Sequence, residues 1–143
     1  MANKKIGGLG EIAFRVNNLD ASQAFYEEKI GLELMRRFDD SAFFKIADGY
    51  AGHTQILALF DRTAEANSNP NYKAPSQAHT TVDHIAFTID VADFDSEKVR
   101  LEALGLPTRT SIHGWVQWRS LYVNDPDGNL VEFVCYDPAI QKD

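Results

Sequence analysis

Glu11-Ile12-Ala13-Phe14-Arg15-Val16 and His84-Ile85-Ala86-Phe87-Thr88-Ile89 are one six-residue pattern written twice, 73 residues apart. Two further landmarks repeat at an offset of 74: Gly31-Leu32 with Gly105-Leu106, and the apolar run 55–60 with 129–134. Three landmarks in register are the mark of an internal duplication, so the chain reads as two modules, 6–61 and 81–137, joined by a polar segment. Each module alone is too small for a sufficient core, whereas together they fill one domain.

Within each module the patterns run in the same order. An alternating β-branched and aromatic stretch, 9–17 or 82–90, predicts a strand. A helix follows. In the first module Asp20 caps it, Gln23 completes a capping-box pattern, Ala21, Ala24 and Phe25 form its apolar face, and Gly31 ends it. In the second, Asp93 or Asp95 caps, Val99 and Ala103 share the apolar face, and Gly105 ends the helix. Three shorter strands come next, near 32–39, 41–47 and 54–60, then near 107–112, 116–124 and 129–136. Asp125-Pro126-Asp127-Gly128-Asn129 is a turn, because Pro presets φ and Gly accepts a positive one. The expected fold class is therefore α+β, with βαβββ twice and the helices covering one face of the sheet. The linker 63–80, with Asn-Ser-Asn-Pro-Asn and His79, has loop composition.

Composition bounds the function. In 143 residues, 14 Lys and Arg stand against 21 Asp and Glu, a net charge of −7. That balance argues against nucleic acid and anionic membranes as partners, since both select clustered cations. The single cysteine, Cys135, builds neither an internal disulfide nor a cysteine zinc site, and fits a reducing, cytoplasmic setting. Met1 to Gly10 has two lysines and no apolar run behind them, so no signal peptide is expected. No stretch is apolar over a membrane-spanning length.

Strand alternation assigns faces. Ile12, Phe14 and Val16 share one face and Glu11, Ala13 and Arg15 the other. Ile85, Phe87 and Ile89 oppose His84, Ala86 and Thr88. Val131, Phe133 and Cys135 oppose Leu130, Glu132 and Val134. The face away from the helices thus carries Glu11, His84 and Glu132, with Ala58 at the fourth position related by the repeat. On 116–124 the same logic puts Trp118, Ser120 and Tyr122 opposite Leu121 and Val123.

These stretches, with Ala24-Phe-Tyr-Glu-Glu-Lys-Ile-Gly-Leu-Glu-Leu34 and above all Ser120-Leu-Tyr-Val-Asn-Asp-Pro-Asp-Gly-Asn-Leu-Val-Glu132-Phe133, resemble the vicinal oxygen chelate superfamily of glyoxalase I, extradiol dioxygenases, and fosfomycin and bleomycin resistance proteins. The resemblance covers nearly the whole chain. It implies paired βαβββ modules whose curled mixed sheets form an open cup, a homodimer, and a divalent metal held from four positions, here Glu11, Ala58, His84 and Glu132. His84 and Glu132 match the pattern. Glu11 replaces the usual His or Gln, and Ala58 replaces the carboxylate normal in glyoxalase I, which speaks against that reaction. The implied metal ligands are Glu11, His84 and Glu132, and oxygen-rich ligation of this kind suits Fe²⁺, Mn²⁺, Zn²⁺ or Mg²⁺. The implied activity is a metal-dependent enzyme, a lyase or dioxygenase, that binds an oxygenated small molecule through two oxygens. The alternative is a metal-free protein that sequesters a drug in the same cup.

Every such residue also has an ordinary reading. His84 alone on a strand is a structural histidine, Glu132 an edge residue or a salt bridge to Arg15 or Arg119, and Glu11 a solvated or Arg-paired carboxylate. Arg15, Trp118 and Tyr122 are the candidate substrate-pocket residues, against an exposed arginine and plain sheet packing. His113, before Gly114-Trp115, is either a mobile acid–base group or an exposed turn residue, and the turn is the favoured reading. His53 matches Asp127 across the repeat and reads as a turn residue. Cys135 reads as a buried, inert thiol.

Overall fold

A computed structural model describes residues 5–64 and 82–143. Residues 65–80 of the linker, His79 among them, lie outside the described residues. The chain divides into two compact units, Met1–His79 and Thr80–Asp143.

The first unit runs β1 (Glu11–Val16), α1 (Leu19–Ala24), β2 (Glu33–Arg37), β3 (Ser41–Asp48), β4 (Thr54–Asp61). Its four strands are ordered β1-β4-β3-β2, with β1 and β4 parallel and the other pairs antiparallel. Phe14, Val16, Ala42, Phe44, Leu57 and Leu59 are buried on one face, under Leu19, Phe25, Tyr26 and Ile30 of the helix. Tyr26 packs beside Phe44 with ring centroids 6.4 Å apart.

The cap of α1 differs from the expected one. Asn18, not Asp20, is the N-cap, and its side chain accepts from the Ala21 N–H at 3.0 Å. Both residue types cap well; the chain enters two residues earlier. Asp20 is left to pair with Arg37 at 2.9 Å, and Gln23 bonds Arg37 and Glu27 rather than closing a capping box. The helix continues past Ala24 as a wider π turn, Phe25–Ile30, and Gly31 ends it at φ 91°.

The second unit repeats the plan: β5 (His84–Thr88), α2 (Phe94–Ala103), β6 (Arg109–His113), β7 (Trp118–Asn124), β8 (Leu130–Tyr136), ordered β5-β8-β7-β6 with β5 and β8 parallel. Ile85, Phe87, Leu121, Val123, Val131, Phe133 and Cys135 are buried on one face of its sheet, and Ser120, Glu132 and Val134 on the other. The buried face of α2 is Phe94 and Leu101, not Val99 and Ala103: Val99 is 66% exposed. Seven residues are nearly two full turns, so Phe94 and Leu101 share a stripe, which Val99 and Ala103 miss. Asp93 precedes α2 but its side chain makes no capping bond. Among the described residues, no helix is long and apolar enough to cross a membrane.

Candidate functional site

The turn Asp125–Asn129 launches β8 and so fixes where Glu132 falls. Asp125 Oδ1 accepts from the N–H groups of Asp127 (2.9 Å) and Asn129 (2.8 Å), and its Oδ2 accepts from Asn129 Nδ2. Gly128 supplies the positive φ, 83°, that the turn requires. From there β8 pairs with β5 so that His84 lies opposite Leu130 and Ala86 opposite Glu132. Residues two apart on a strand share a face, so His84 and Glu132 lie on the same side of neighbouring strands, diagonal to one another.

They meet. His84 Nε2 is 3.1 Å from Glu132 Oε2, and the Glu132 side chain is only 7% exposed against 40% for His84. A buried carboxylate is costly unless partnered, and His84 is that partner; neither arginine considered from sequence takes the role. Arg119 pairs with Asp137 at 2.9 Å and stacks on Phe94 at 5.1 Å, on the helix side of the sheet. Arg15 donates to the Asp61 carbonyl at 3.1 Å and to the Ala64 carbonyl, with its guanidinium 5.8 Å from the Phe60 ring.

The other imidazole nitrogen is held as well. Nδ1 of His84 donates to Asp83 Oδ2 at 2.6 Å. A carboxylate on one ring nitrogen orients the ring; Nε2 carries a hydrogen while it donates to Glu132, and that hydrogen would give way to a metal ion. Asp83–His84–Glu132 is therefore one nitrogen and one carboxylate donor aimed together, with the ring fixed from behind. This donor set fits a divalent ion of the zinc, manganese or iron kind. Glu11 opens β1 in the first unit at the position matching His84: it lies opposite Ile56, and Ala13 lies opposite Ala58, as Ala86 lies opposite Glu132. No cluster of three or more His, Cys, Asp or Glu converges as a metal site among the described residues.

The same face of the second sheet holds more polar groups. Tyr122 is the register partner of Glu132, and Ser120 of Val134. Tyr122 is half-buried and Trp118 is exposed at the far end of β7. Ser120 is fully buried, and its hydroxyl finds no hydrogen-bond partner among the described residues. His113 is not an exposed turn residue. It is the last residue of β6, half-buried, and its Nε2 is 3.0 Å from Ser111 Oγ and 3.3 Å from Tyr122 Oη. The turn, Gly114–Val116, starts one residue later. His53 is exposed beside the short turn Tyr50–Gly52, as expected. Sequence reasoning passed over Asp83 and Ser111. The signals were the Asp83-His84 dipeptide and the alternation Arg109, Ser111, His113.

On the opposite face, burial pushes the Cys135 thiol up, against a smaller opposing pull from Arg119. A thiol held neutral is a poor nucleophile, so Cys135 is inert packing.

The family model described as the Glyoxalase/Bleomycin resistance protein/Dioxygenase superfamily matches residues 8–133. A metallothiol transferase FosB of Bacillus licheniformis is 27% identical over 135 residues, covering 92% of this chain and 77% of its own length. A glutathione transferase FosA of Serratia marcescens is 27% identical over 128 residues, covering 87% of this chain and 77% of its own. Among solved structures, a lactoylglutathione lyase from Agrobacterium tumefaciens is 34% identical, with a TM-score of 0.69 over 92% of this chain and 96% of that one. Duplicated βαβββ topology, the Asp125–Asn129 turn feeding Glu132, and these matches agree: the chain belongs to the glyoxalase/bleomycin resistance protein/dioxygenase superfamily.

Proposed function

We propose that the protein is a metal-dependent enzyme acting on a small oxygenated molecule, with His84 and Glu132 among the ligands of a divalent ion. One observation carries this reading: a buried Glu132 carboxylate aimed at His84 Nε2, with Asp83 orienting the ring. When bound, the ion supplies Lewis-acid stabilisation of negative charge on substrate oxygen. The chain's own residues do the rest. Asp83 keeps the imidazole in one orientation, Tyr122, the register partner of Glu132, offers a hydroxyl on the same face, and Trp118 supplies an apolar wall. The names of the relatives favour transfer of a thiol over ring cleavage, so a low-molecular-weight thiol is the first co-substrate to test. A homodimer in a reducing compartment completes the proposal.

The rival reading is metal-free sequestration of a drug, favoured by Ala58, fully buried and unable to ligate. Metal analysis of the purified protein and Mn²⁺ titration separate the two. The enzyme reading expects one ion per chain and an affinity reduced about 100-fold or more in His84→Ala and Glu132→Ala, since loss of an outer-shell partner alone costs 10- to 100-fold. No stoichiometric ion, and Mn²⁺ uptake indifferent to both changes, would sink it.

A further inference from the structure

Three side chains of the second sheet close a triangle. Ser111 Oγ lies 2.8 Å from Tyr122 Oη and 3.0 Å from His113 Nε2, and the third edge, Nε2 to Oη, is 3.3 Å. All three groups are half-buried. Tyr122 is also the register partner of Glu132, so one corner of the triangle borders the candidate metal ligand. Neither His113 nor Ser111 is used by the reading above.

The hydrogens in this triangle can be counted. Each hydroxyl brings one, and Nε2 brings one only when protonated. With Nε2 bare, Ser111 donates along its 3.0 Å edge to the imidazole, and Tyr122 donates to Ser111. Both hydroxyl hydrogens are then used inside the triangle, and Tyr122 presents only lone pairs outward. With Nε2 protonated the direction reverses. His113 donates to Ser111, Ser111 donates to Tyr122, and the Tyr122 hydrogen is released to point away from the cluster. One proton on one nitrogen thus inverts the polarity of a hydroxyl two bonds away, with no atom displaced.

We propose that His113 is a positioning residue whose proton decides whether Tyr122 donates or accepts a hydrogen bond on the face that holds Glu132. The proposal rests on the metal-enzyme reading for its use in catalysis: with Nε2 of His113 protonated Tyr122 serves a substrate oxyanion, and with the ring neutral and its one hydrogen on Nδ1 it serves a substrate hydroxyl. The hydrogen-bond inversion itself is a property of the chain alone. The charged and titratable groups sharing this face of the second sheet are Arg109 on β6, opposite Tyr122 in the register; Glu132 and Tyr136 on β8, the latter in register with Trp118 and through it with His113; and His84 on β5, with Asp83 beside it; the Asp143 carboxylate lies against Gly114, next to His113. Ser120, between Trp118 and Tyr122 on β7, adds its buried unpartnered hydroxyl to the same face, a second polar group that the fold itself does not use.

The test is a pH titration by NMR of the full chain without metal, with ¹⁵N in the histidine rings and ¹³C at tyrosine Cζ. Imidazole changes charge within about pH 5 to 8, so the titration spans that range. The expected result is that the Tyr122 Cζ shift follows His113 with the same midpoint. His113→Gln keeps a hydrogen-bonding group but cannot titrate, so the Tyr122 response should vanish while the melting temperature holds. Ser111→Ala cuts the shorter path, so His113 should still titrate while the Tyr122 response shrinks. A Tyr122 shift flat across the titration of His113 overturns the proposal, and so does an undiminished response in His113→Gln, which would assign it to Glu132 or His84. Mn²⁺ uptake is read separately. Coupling without uptake removes the metal reading and keeps the inversion; uptake without coupling does the reverse.

Discussion

The two modules share a backbone plan down to the register and differ in what that register carries. Ala13 opposite Ala58 in the first corresponds to Ala86 opposite Glu132 in the second, and Phe43 opposite Ala58 corresponds to Tyr122 opposite Glu132. The first module fills these places with aromatic packing: Phe43 stands edge-on to Phe38 and Phe60 at 5.9 and 5.8 Å, and Arg15 lies over Phe60. The second fills them with a carboxylate, an imidazole and a hydroxyl triangle. The two copies thus differ at a few positions on one face, while the helix-side residues stay apolar in both. Fold alone does not assign reactivity.

The helices differ in how firmly they are anchored, and this gives the largest expected effect. The first module buries Leu19, Phe25, Tyr26 and Ile30 along its helix, whereas α2 buries only Phe94 and Leu101. Leu101→Ala should therefore cost about 3 kcal/mol, within the usual range for a buried leucine. Val99→Ala on the same helix should stay within about 0.5 kcal/mol. Urea unfolding of both variants measures the contrast. Equal losses would mean that α2 is seated on its other face.

Placing in the first module what the second has is the next test. Ala58→Glu puts a carboxylate at a fully buried position whose register neighbours are Ala13 and Phe43. Unlike Glu132, it meets no imidazole in its own module, since Glu11 stands where His84 would be. The expected loss is about 2 kcal/mol, the penalty of an unpartnered buried polar group. If the variant is instead as stable as the parent, the first module accepts a carboxylate at this place and the modules are closer to equivalent than their present residues make them.

Caps give a smaller contrast. Asn18→Ala removes a side-chain bond to the Ala21 N–H and should cost about 1 kcal/mol. Asp93→Ala removes no capping bond and should cost under about 0.5 kcal/mol, as a surface change does. Thermal melts of the pair decide it.

How much of this was legible follows from what sequence encodes locally. Strand alternation has period two, so the faces of β1, β5 and β8 could be read directly, and the offset of 73 to 74 tied the modules together. Gly31 and Gly105 marked the helix ends because both sit at positive φ. The orientation of α2 was not legible. Its sequence Phe94-Asp-Ser-Glu-Lys-Val-Arg-Leu-Glu-Ala103 has two apolar pairs, Phe94 with Leu101 and Val99 with Ala103, and packing on the sheet selects the first. Asn18 and Asp20 are both good caps two residues apart, and where the chain leaves β1 chooses between them. Among site residues, His84 and Glu132 stood out by type and position. His113 was hidden because Gly114-Trp115 made it look like part of the turn, when β6 carries it one residue further.

The smallest contrast is in pH response, at positions 61 and 135, which are 74 residues apart and therefore equivalent in the repeat. Asp61 is half-buried, and the Thr63 hydroxyl and backbone N–H, donating at 2.5 and 2.9 Å, hold its carboxyl below the usual range. Its stabilising contribution is present above the carboxyl's unfolded value and is lost as pH falls through the lowered folded one. Cys135 is the reverse case. Burial raises its thiol, so its contribution is full below the unfolded thiol's value and is lost as pH rises through the folded one. Melting temperatures across pH should therefore change slightly at opposite ends: Asp61→Asn should flatten the acid limb and leave the alkaline limb alone, and Cys135→Ala should do the opposite. An acid limb unchanged in Asp61→Asn would show that the Thr63 turn persists in the unfolded chain, because a shift present in both states adds nothing to stability. One repeat position would then carry a local turn in the first module and a tertiary burial in the second.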